Sequence, residues 1–188
     1  MKKKYTIVGI DEAGRGPLAG PVVAASVIME EEYFPNEIND SKKISEKKRD
    51  ALYKIIIKKA SQYGIGIVGP NEIDKMNIHN ATLKAMKISY DSIISENCTV
   101  YIDGIFKPDI KERSYAIKHG DQFVPIISAA SIIAKVTRDK IMLDIDKEFP
   151  MYNFKKHKGY PTKHHIEMIK KYGVCKHHRK TFKPIKYL

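Results

Sequence analysis

YTIVGIDEAGRGPLAGPVVAASVIM, residues 5–29, contains two apolar runs on either side of a segment rich in glycine and proline. The runs at residues 5–11 and 21–29 are rich in Val and Ile and predict two buried β-strands. Because the connection between them is short, the pair is expected to form a hairpin. The first strand is expected to end at Asp11, which places a carboxylate at the edge of a sheet.

Downstream patterns alternate between strands and helices before the last part of the chain becomes helical. Strands are predicted at 63–68, 99–103 and 115–118, and helices at 46–60, 80–96, 128–148 and 164–172, with a further helix start at Pro70 after Gly69. Ser45 and Asn80 are the expected N-caps of the first two helices. This order predicts an α/β fold with a mixed β-sheet flanked by helices and followed by a helical C-terminal cap.

Composition excludes secreted, membrane, collagenous and disulfide-rich proteins. The 188 residues include 43% hydrophobic and 30% charged residues, which is typical of one globular domain. Two cysteines cannot form a disulfide framework and favour a reducing compartment. No apolar run approaches about 18 residues, and the basic N-terminus leads directly into Asp11 and Glu12. We therefore expect a cytoplasmic protein without a membrane partner, and a monomer.

Positive charge is concentrated at the C-terminus. Lys and Arg number 34 against 22 Asp and Glu, for a net charge of +12. Residues 151–188 carry eleven Lys or Arg and one acid, so we expect a near-neutral core at 1–150 and a basic region at 151–188 within a single domain. Basic residues interspersed with aromatic ones favour a nucleic-acid partner and a steep salt dependence. The alternative is a solvated lysine-rich surface.

Acidic residues recur where strands are predicted to end: Asp11 with Glu12, Asp103, and Asp121. Functional groups collect at the carboxyl edge of such sheets. Crowded carboxylates repel one another unless cations bind between them, and Mg²⁺ or Mn²⁺ prefers carboxylate oxygens. Two such ions about 3.5–4 Å apart suit in-line phosphoryl displacement.

Since neighbouring strand residues face opposite ways, Asp11 and Glu12 can share a site only if the strand ends or twists there. Taken singly, each acid could instead be a turn residue or a helix cap.

The segment Gly14-Arg15-Gly16 offers backbone groups that can approach a ligand closely. A dinucleotide fingerprint is excluded because the third glycine comes one position late and Pro17 precedes a strand rather than a helix. Beside a metal site, the loop could bind a sugar hydroxyl or a phosphate, with Arg15 contacting a phosphate or stacking. The alternative is an ordinary tight turn.

Residues 11–22, DEAGRGPLAGPV, resemble the opening signature of the type 2 ribonucleases H, the ribonuclease HII family. The resemblance continues in order through residues 40–43, 101–104, 127–139, 159–162 and 178–179. It implies a ribonuclease H-like fold and hydrolysis of the RNA strand of RNA–DNA hybrids. It also implies incision at ribonucleotides embedded in duplex DNA, leaving 3′-hydroxyl and 5′-phosphate ends, as in ribonucleotide excision during DNA replication and repair.

The resemblance also implies roles for individual residues. Asp11, Glu12, Asp103 and Asp121 correspond to four catalytic, metal-binding acids. Gly14, Arg15 and Gly16 resemble the loop whose backbone recognises the ribose 2′-hydroxyl, the group that distinguishes RNA from DNA. Tyr160 resembles the tyrosine that stacks on the following sugar and senses the RNA-to-DNA junction. Type 3 relatives carry Gly-Lys-Gly and an N-terminal extension, so Arg15 and the short stretch before Asp11 favour type 2.

Further polar residues each have two interpretations. Lys42 and Lys43 are predicted to contact substrate phosphate or, alternatively, to be solvated. Ser128 is predicted to cap a helix at an anion site, or to be small so that the helix packs closely on the sheet. For the five histidines of the basic region a surface position is expected, the alternative being that one of them assists proton transfer near a leaving group. Their spacing with Cys175 fits no common zinc pattern: His157, His164, His165, His177 and His178.

Two other functions compete with a metal-dependent ribonuclease H. A non-catalytic RNA-binding module would explain the basic charge but not the acids at the strand ends. A general nuclease of similar fold would use the acids without selecting the sugar.

Overall fold

The computed structural model describes residues 6–30, 44–93 and 97–188. Within these ranges, five strands form one sheet, flanked by helices and short 3-10 turns. The strands are β1 (Thr6–Ala13), β2 (Val22–Ile28), β3 (Gln62–Val68), β4 (Cys98–Asp103) and β5 (Arg113–Ile117). The helices are α1 (Glu46–Lys59), α2 (Pro70–Asp91), α3 (Gly120–Phe123), α4 (Pro125–Glu148), α5 (Phe154–His157) and α6 (Lys163–Tyr172).

The sheet is mixed, with the strand order β3-β2-β1-β4-β5. β2 pairs antiparallel with both β1 and β3, so the predicted hairpin is confirmed. β4 pairs parallel with both β1 and β5. The carboxyl ends of β1, β4 and β5 therefore meet at one edge of the sheet.

Helices cover both faces of the sheet. Val8 and Ile10 of β1 pack in the core beneath α2, whereas α4 packs on the opposite face with α1 beside it. Gly9 allows α4 to lie directly on β1, because a Cβ there would be 2.3 Å from the Ile126 carbonyl oxygen. This close approach brings Ser131 of α4 to the carboxyl end of β1.

The C-terminal region packs on the glycine-rich loop between β1 and β2. Leu18 and Ala19 of the loop belong to an apolar cluster with Phe154 of α5 and Ile169 of α6. Leu18 N–H donates to the Gly159 carbonyl, and Gly20 N–H donates to that of His177. The basic region is thereby fixed beside the acidic edge of the sheet.

Three predicted element boundaries are corrected by the structure. β1 continues beyond Asp11 to Ala13. α2 begins at Pro70, as predicted, but it continues through a kink at Asn77, where φ is 68°, and ends at Asp91 rather than near residue 96. Asn77 Oδ1 accepts the Asn80 N–H at 3.0 Å, so Asn77 rather than Asn80 caps the second half of this helix.

α4 begins at Pro125, with Val124 at the N-cap, so Ser128 is not a cap. In the ranges that the structure describes, no helix has the length and apolarity needed to cross a membrane.

Candidate active site

The acidic residues singled out in the sequence come together at the carboxyl edge. Asp11 lies near the end of β1 and Asp103 ends the adjacent parallel strand, where Ile10 pairs with Ile102. Asp121 lies on α3, the short helix that follows β5. Its backbone N–H donates to Asp103 Oδ1 at 3.3 Å. Asp11 and Asp103 therefore lie close together on neighbouring parallel strands, and the backbone of Asp121 lies beside Asp103.

Asp11 is the most deeply placed of these acids. It is 2% exposed, and its Oδ1 accepts the Glu12 N–H at 2.7 Å. Burial raises the pKa of Asp11 well above its usual value, and the charges of Glu12 and Asp103 raise it further; a hydrogen bond from the Ser131 side chain lowers it in part. The ionised form of Asp11 is thus disfavoured by its surroundings.

Glu12 reaches this neighbourhood although the strand does not end at Asp11, so the expected strand end is wrong. Pairing with β4 stops at Ile10, whereas pairing with β2 continues to Ala13. Glu12 Oε1 lies 3.5 Å from Arg15 Nη1, and Glu12 is close enough to Asp11 to raise its pKa. Because β1 is no longer paired with β4 beyond Ile10, Asp11 and Glu12 can reach the same site although the strand itself continues.

A divalent cation suits this group of carboxylates. Asp11 Oδ2 is buried and accepts no hydrogen bond from any described residue, and the surrounding negative charge would be neutralised by a cation. Carboxylate oxygen is the ligand that Mg²⁺ and Mn²⁺ prefer. Within residues 6–30, 44–93 and 97–188, however, no three His, Cys, Asp or Glu side chains are arranged to hold a metal ion as they stand. Since Mg²⁺ is usually bound by one or two carboxylates plus substrate phosphates, a closed protein cage is not required.

A cleft of about 330 Å³ is lined by Glu12, the one of the four acids that it reaches, and by Ser131, whose side chain binds Asp11. Its walls include acidic, basic and aromatic side chains as well as the glycine loop: Glu12, Ala13, Gly14, Arg15, Gly16, Arg49, Ser131, Lys135 and Tyr160. The structure therefore brings the loop and Tyr160 together beside Glu12. Arg49 and Lys135 lie in the same cleft on the side of α1 and α4 and were not identified from the sequence.

Gly16 and Tyr160 face each other across this cleft. A Cβ built on Gly16 would have only Tyr160 Cε1 nearby, at 3.7 Å. Tyr160 is 42% exposed. Its backbone is fixed on both sides, because its N–H donates to the His157 carbonyl and its own carbonyl accepts the Thr162 N–H. The gap between Gly16 and the ring is therefore about as wide as one methyl group or one oxygen atom.

Two buried arginines hold the loop from behind, and sequence reasoning assigned a role to neither. Arg138 donates to the carbonyl oxygens of Pro21, Ala19 and Lys158, each at 3.0 Å. Arg179 donates to those of Gly20, Arg15 and Gly14 at 3.0, 3.0 and 2.6 Å. Both residues lie within the motifs that carry the family resemblance, but burial of a basic residue has no local sequence signal.

Three of the C-terminal histidines are buried, so the expected surface position is wrong for them. The Cys175 N–H donates to His178 Nδ1 at 2.9 Å, which leaves the proton of neutral His178 on Nε2. His178 Nε2 lies 3.1 Å from His165 Nε2, and His165 Nδ1 lies 2.9 Å from the Tyr160 carbonyl oxygen. The hydrogen bonds thus run in a row from the Cys175 N–H through His178 and His165 to the Tyr160 carbonyl, and each neutral ring donates one bond and accepts one. His157 similarly accepts the Gly159 N–H.

Acidic conditions are expected to destabilise the fold through these rings. Burial lowers the pKa of both His165 and His178 to about 4, from an ordinary value of 6.5. The unfolded chain therefore binds more protons between pH 6.5 and pH 4, and stability falls as the pH falls through this window. The loss between pH 7.5 and pH 5 is expected to be about 2 kcal/mol for each ring. Urea unfolding at the two pH values measures it.

A matched substitution controls for other titrating groups. In His178→Gln, we expect a lower stability at pH 7.5 and a weaker pH dependence. His79 on α2, outside this group of rings, serves as the control, since His79→Gln should leave the pH dependence unchanged. An unchanged slope in His178→Gln would contradict the assignment.

The remaining predicted contacts have different outcomes. Ser128 is fully buried, and its hydroxyl donates to the Asp121 carbonyl at 2.6 Å. It therefore supports the segment that carries Asp121 rather than lying on a substrate surface. Lys42 and Lys43 lie outside the described residues.

Comparison with known proteins follows the same motifs. Residues 8–185 match the family model described as ribonuclease HII. A ribonuclease HII from Francisella philomiragia is 53% identical over 182 residues, which cover 97% of this chain and 98% of the relative. The crystal structure of the ribonuclease H2 from Pyrococcus horikoshii has a TM-score of 0.82 at 25% identity, covering 97% of this chain and 96% of that one. The structure of the PCNA:RNase HII complex from Archaeoglobus fulgidus has a TM-score of 0.77 at 27% identity, covering 95% of each chain.

Proposed function

Because the chain belongs to the ribonuclease HII family and is a ribonuclease H endonuclease, we propose that it acts at the RNA strand of RNA–DNA hybrids and at ribonucleotides embedded in duplex DNA. The predicted family resemblance and ribonuclease H-like fold are confirmed by the comparisons. We further propose hydrolysis with two divalent ions, Mg²⁺ or Mn²⁺, giving 3′-hydroxyl and 5′-phosphate ends.

The proximity of Asp11, Glu12 and Asp103 at the carboxyl ends of two neighbouring parallel strands, with the Asp121 N–H on the Asp103 carboxylate, carries this proposal. With Glu12, these acids would hold the ions, which when bound would polarise the phosphate, lower the pKa of an attacking water and stabilise the leaving oxygen. The chain's own part is positioning. The contact from Asp121 N–H orients the Asp103 carboxylate, and Ser131 orients that of Asp11.

The cleft beside the acids would receive the sugar and phosphate of the scissile strand. The ribose would lie beside the exposed ring of Tyr160 with its 2′-hydroxyl toward Gly16, where a Cβ would occupy the gap. Arg49 of α1 and Lys135 of α4 add positive charge to the wall of the cleft. Lys135 is oriented by Asp139, whose Oδ1 accepts from its Nζ at 2.8 Å. This arrangement favours a phosphodiester of a nucleic acid over a neutral substrate.

The basic C-terminal region would contact the duplex backbone. Its lysines are mostly exposed, whereas Arg179 is buried and unavailable to phosphate. Counterion release by several lysines predicts a binding affinity that falls steeply with salt. The expected monomeric state and cytoplasmic location stay predictions.

One assay tests the proposed activity directly. In Mg²⁺ or Mn²⁺, we expect cleavage of an RNA–DNA hybrid and of a DNA duplex with a single ribonucleotide. An all-DNA duplex should stay uncleaved. Excess chelator should abolish cleavage, because the carboxylates cannot replace the ions. Labelled strands resolved on a denaturing gel measure each product.

Each rival predicts a different result in that assay. Equal cleavage of the all-DNA duplex would favour a general nuclease. Binding without any cleavage would favour the non-catalytic RNA-binding module. Full activity in chelator would contradict the role given to the four acids.

A further inference from the structure

Arg179 has an unusual set of partners for a buried cation. Its side chain is 0% exposed, and its three donor nitrogens all bind carbonyl oxygens of the glycine-rich loop. No described carboxylate forms an ion pair with it, although the charge of Asp74 acts on it from a distance. Burial, together with the nearby Arg138, lowers the pKa of Arg179 to about 9.

Two of these bonds determine how two successive peptide groups are oriented. Nη2 binds the Gly14 carbonyl and Nη1 binds the Arg15 carbonyl. In a trans peptide, the N–H points opposite to the C=O of the same group. The N–H groups of Arg15 and Gly16 therefore point away from the buried guanidinium, and both residues are exposed at the cleft.

Neighbouring N–H groups that point the same way form a site for an electronegative atom. No described residue accepts a hydrogen bond from either of these N–H groups. The positive charge behind the carbonyls also polarises both peptides, which strengthens the outward N–H groups as donors. A hydroxyl oxygen placed in the gap between Gly16 and Tyr160 would lie within their reach.

We propose that Arg179 is a positioning residue that sets the preference for ribose, by orienting the Arg15 and Gly16 amides toward the 2′-hydroxyl oxygen. The inference rests on the proposed function and adds the residue on which its sugar selectivity depends. Arg179 does not touch the substrate; it acts through two peptide groups.

The test compares affinities in an Asp11→Asn background, in which cleavage is blocked. The discrimination ratio is the Kd for an all-DNA duplex divided by the Kd for the same duplex with one ribonucleotide. Two hydrogen bonds to the hydroxyl predict a ratio of about tenfold in this background. Adding Arg179→Lys keeps the charge but replaces the planar fork with a shorter, single ammonium that does not fix the two carbonyls in their present orientations, so the ratio should fall to near one.

Arg138→Lys is the matched control for stability. Arg138 is equally buried and also donates to three carbonyls, but it binds neither the Gly14 nor the Arg15 carbonyl. We expect both lysine variants to lower the Tm and only Arg179→Lys to abolish the ratio. A ratio retained in Arg179→Lys, or lost equally in both variants, would overturn the inference.

NMR covers the case in which Arg179→Lys does not fold. In the Asp11→Asn protein, the Arg15 and Gly16 amide resonances should shift more with the ribonucleotide duplex than with the all-DNA duplex. Equal shifts with both duplexes would overturn the inference. A ratio of one already present in the Asp11→Asn background would instead show that the proposed sugar contact itself is wrong.

Discussion

Asp11→Asn is expected to abolish cleavage and, at the same time, to raise the thermal stability of the protein. Charge stabilisation by bound cations contributes several kcal/mol to such reactions, so losing a central carboxylate should slow cleavage by about a thousandfold. Stability should rise because the ionised Asp11 is buried beside Glu12 and Asp103, and the raised pKa shows that the folded state disfavours its charge. Single-turnover cleavage and Tm in metal-free buffer measure the two effects.

Asp109→Asn is the control for this substitution. Asp109 is exposed in the connection between β4 and β5, so neither cleavage nor Tm should change. Duplex affinity of Asp11→Asn should be kept, since a negative charge near phosphate has been removed. Residual cleavage within tenfold of the parent, or a lowered Tm, would contradict the position assigned to Asp11.

Gly14→Ala and Gly16→Ala are expected to fail in opposite ways, although the two glycines are separated by one residue. Gly14 has φ of +97°, and a Cβ there would lie 2.1 Å from Arg138 Nε and 2.7 Å from the Pro21 carbonyl oxygen. Backbone strain and overpacking together should lower the free energy of unfolding by about 2–4 kcal/mol. Gly16→Ala should leave stability within about 0.5 kcal/mol, because its Cβ meets only Tyr160.

The functional effect of Gly16→Ala is expected to be larger than its effect on stability. The added methyl group would stand where the ribose is proposed to lie, so cleavage at a single ribonucleotide should fall by at least about tenfold. Chemical denaturation and cleavage assays on the same preparations separate the two effects. Wild-type cleavage by Gly16→Ala, or a stable Gly14→Ala, would contradict the placement of the loop.

Local patterns were sufficient for most of the fold. The runs of Val and Ile predicted β1 and β2, and Ser45 was correctly identified as a cap, since its side chain accepts the Lys48 N–H. The prediction that Asn80 is the N-cap was wrong. Asn77, three residues earlier, adopts a positive φ and its side chain caps the second half of α2. Two asparagines with the same capping chemistry cannot be distinguished without knowing which of them adopts that backbone conformation.

The site was only partly accessible to the same reasoning. Acids at strand ends indicated a shared edge, because parallel strands end together. The histidines were expected at the surface from the charge around them, yet His165 and His178 are buried and connected to Tyr160. Arg138 and Arg179 carry the same charge as their solvated neighbours, and nothing in the residues beside them indicates burial.

By itself, the sequence determined most of the strands, because these depend on short-range periodicity, and its motifs in order carried the family resemblance and the prediction of the acidic site. Only the tertiary structure decided that the basic region packs behind the glycine loop, where Arg179 binds carbonyls that precede it by more than 150 residues. A guanidinium is tolerated in the interior only where hydrogen-bond acceptors surround it, and here the folding of distant segments brings three carbonyl oxygens together around Arg179.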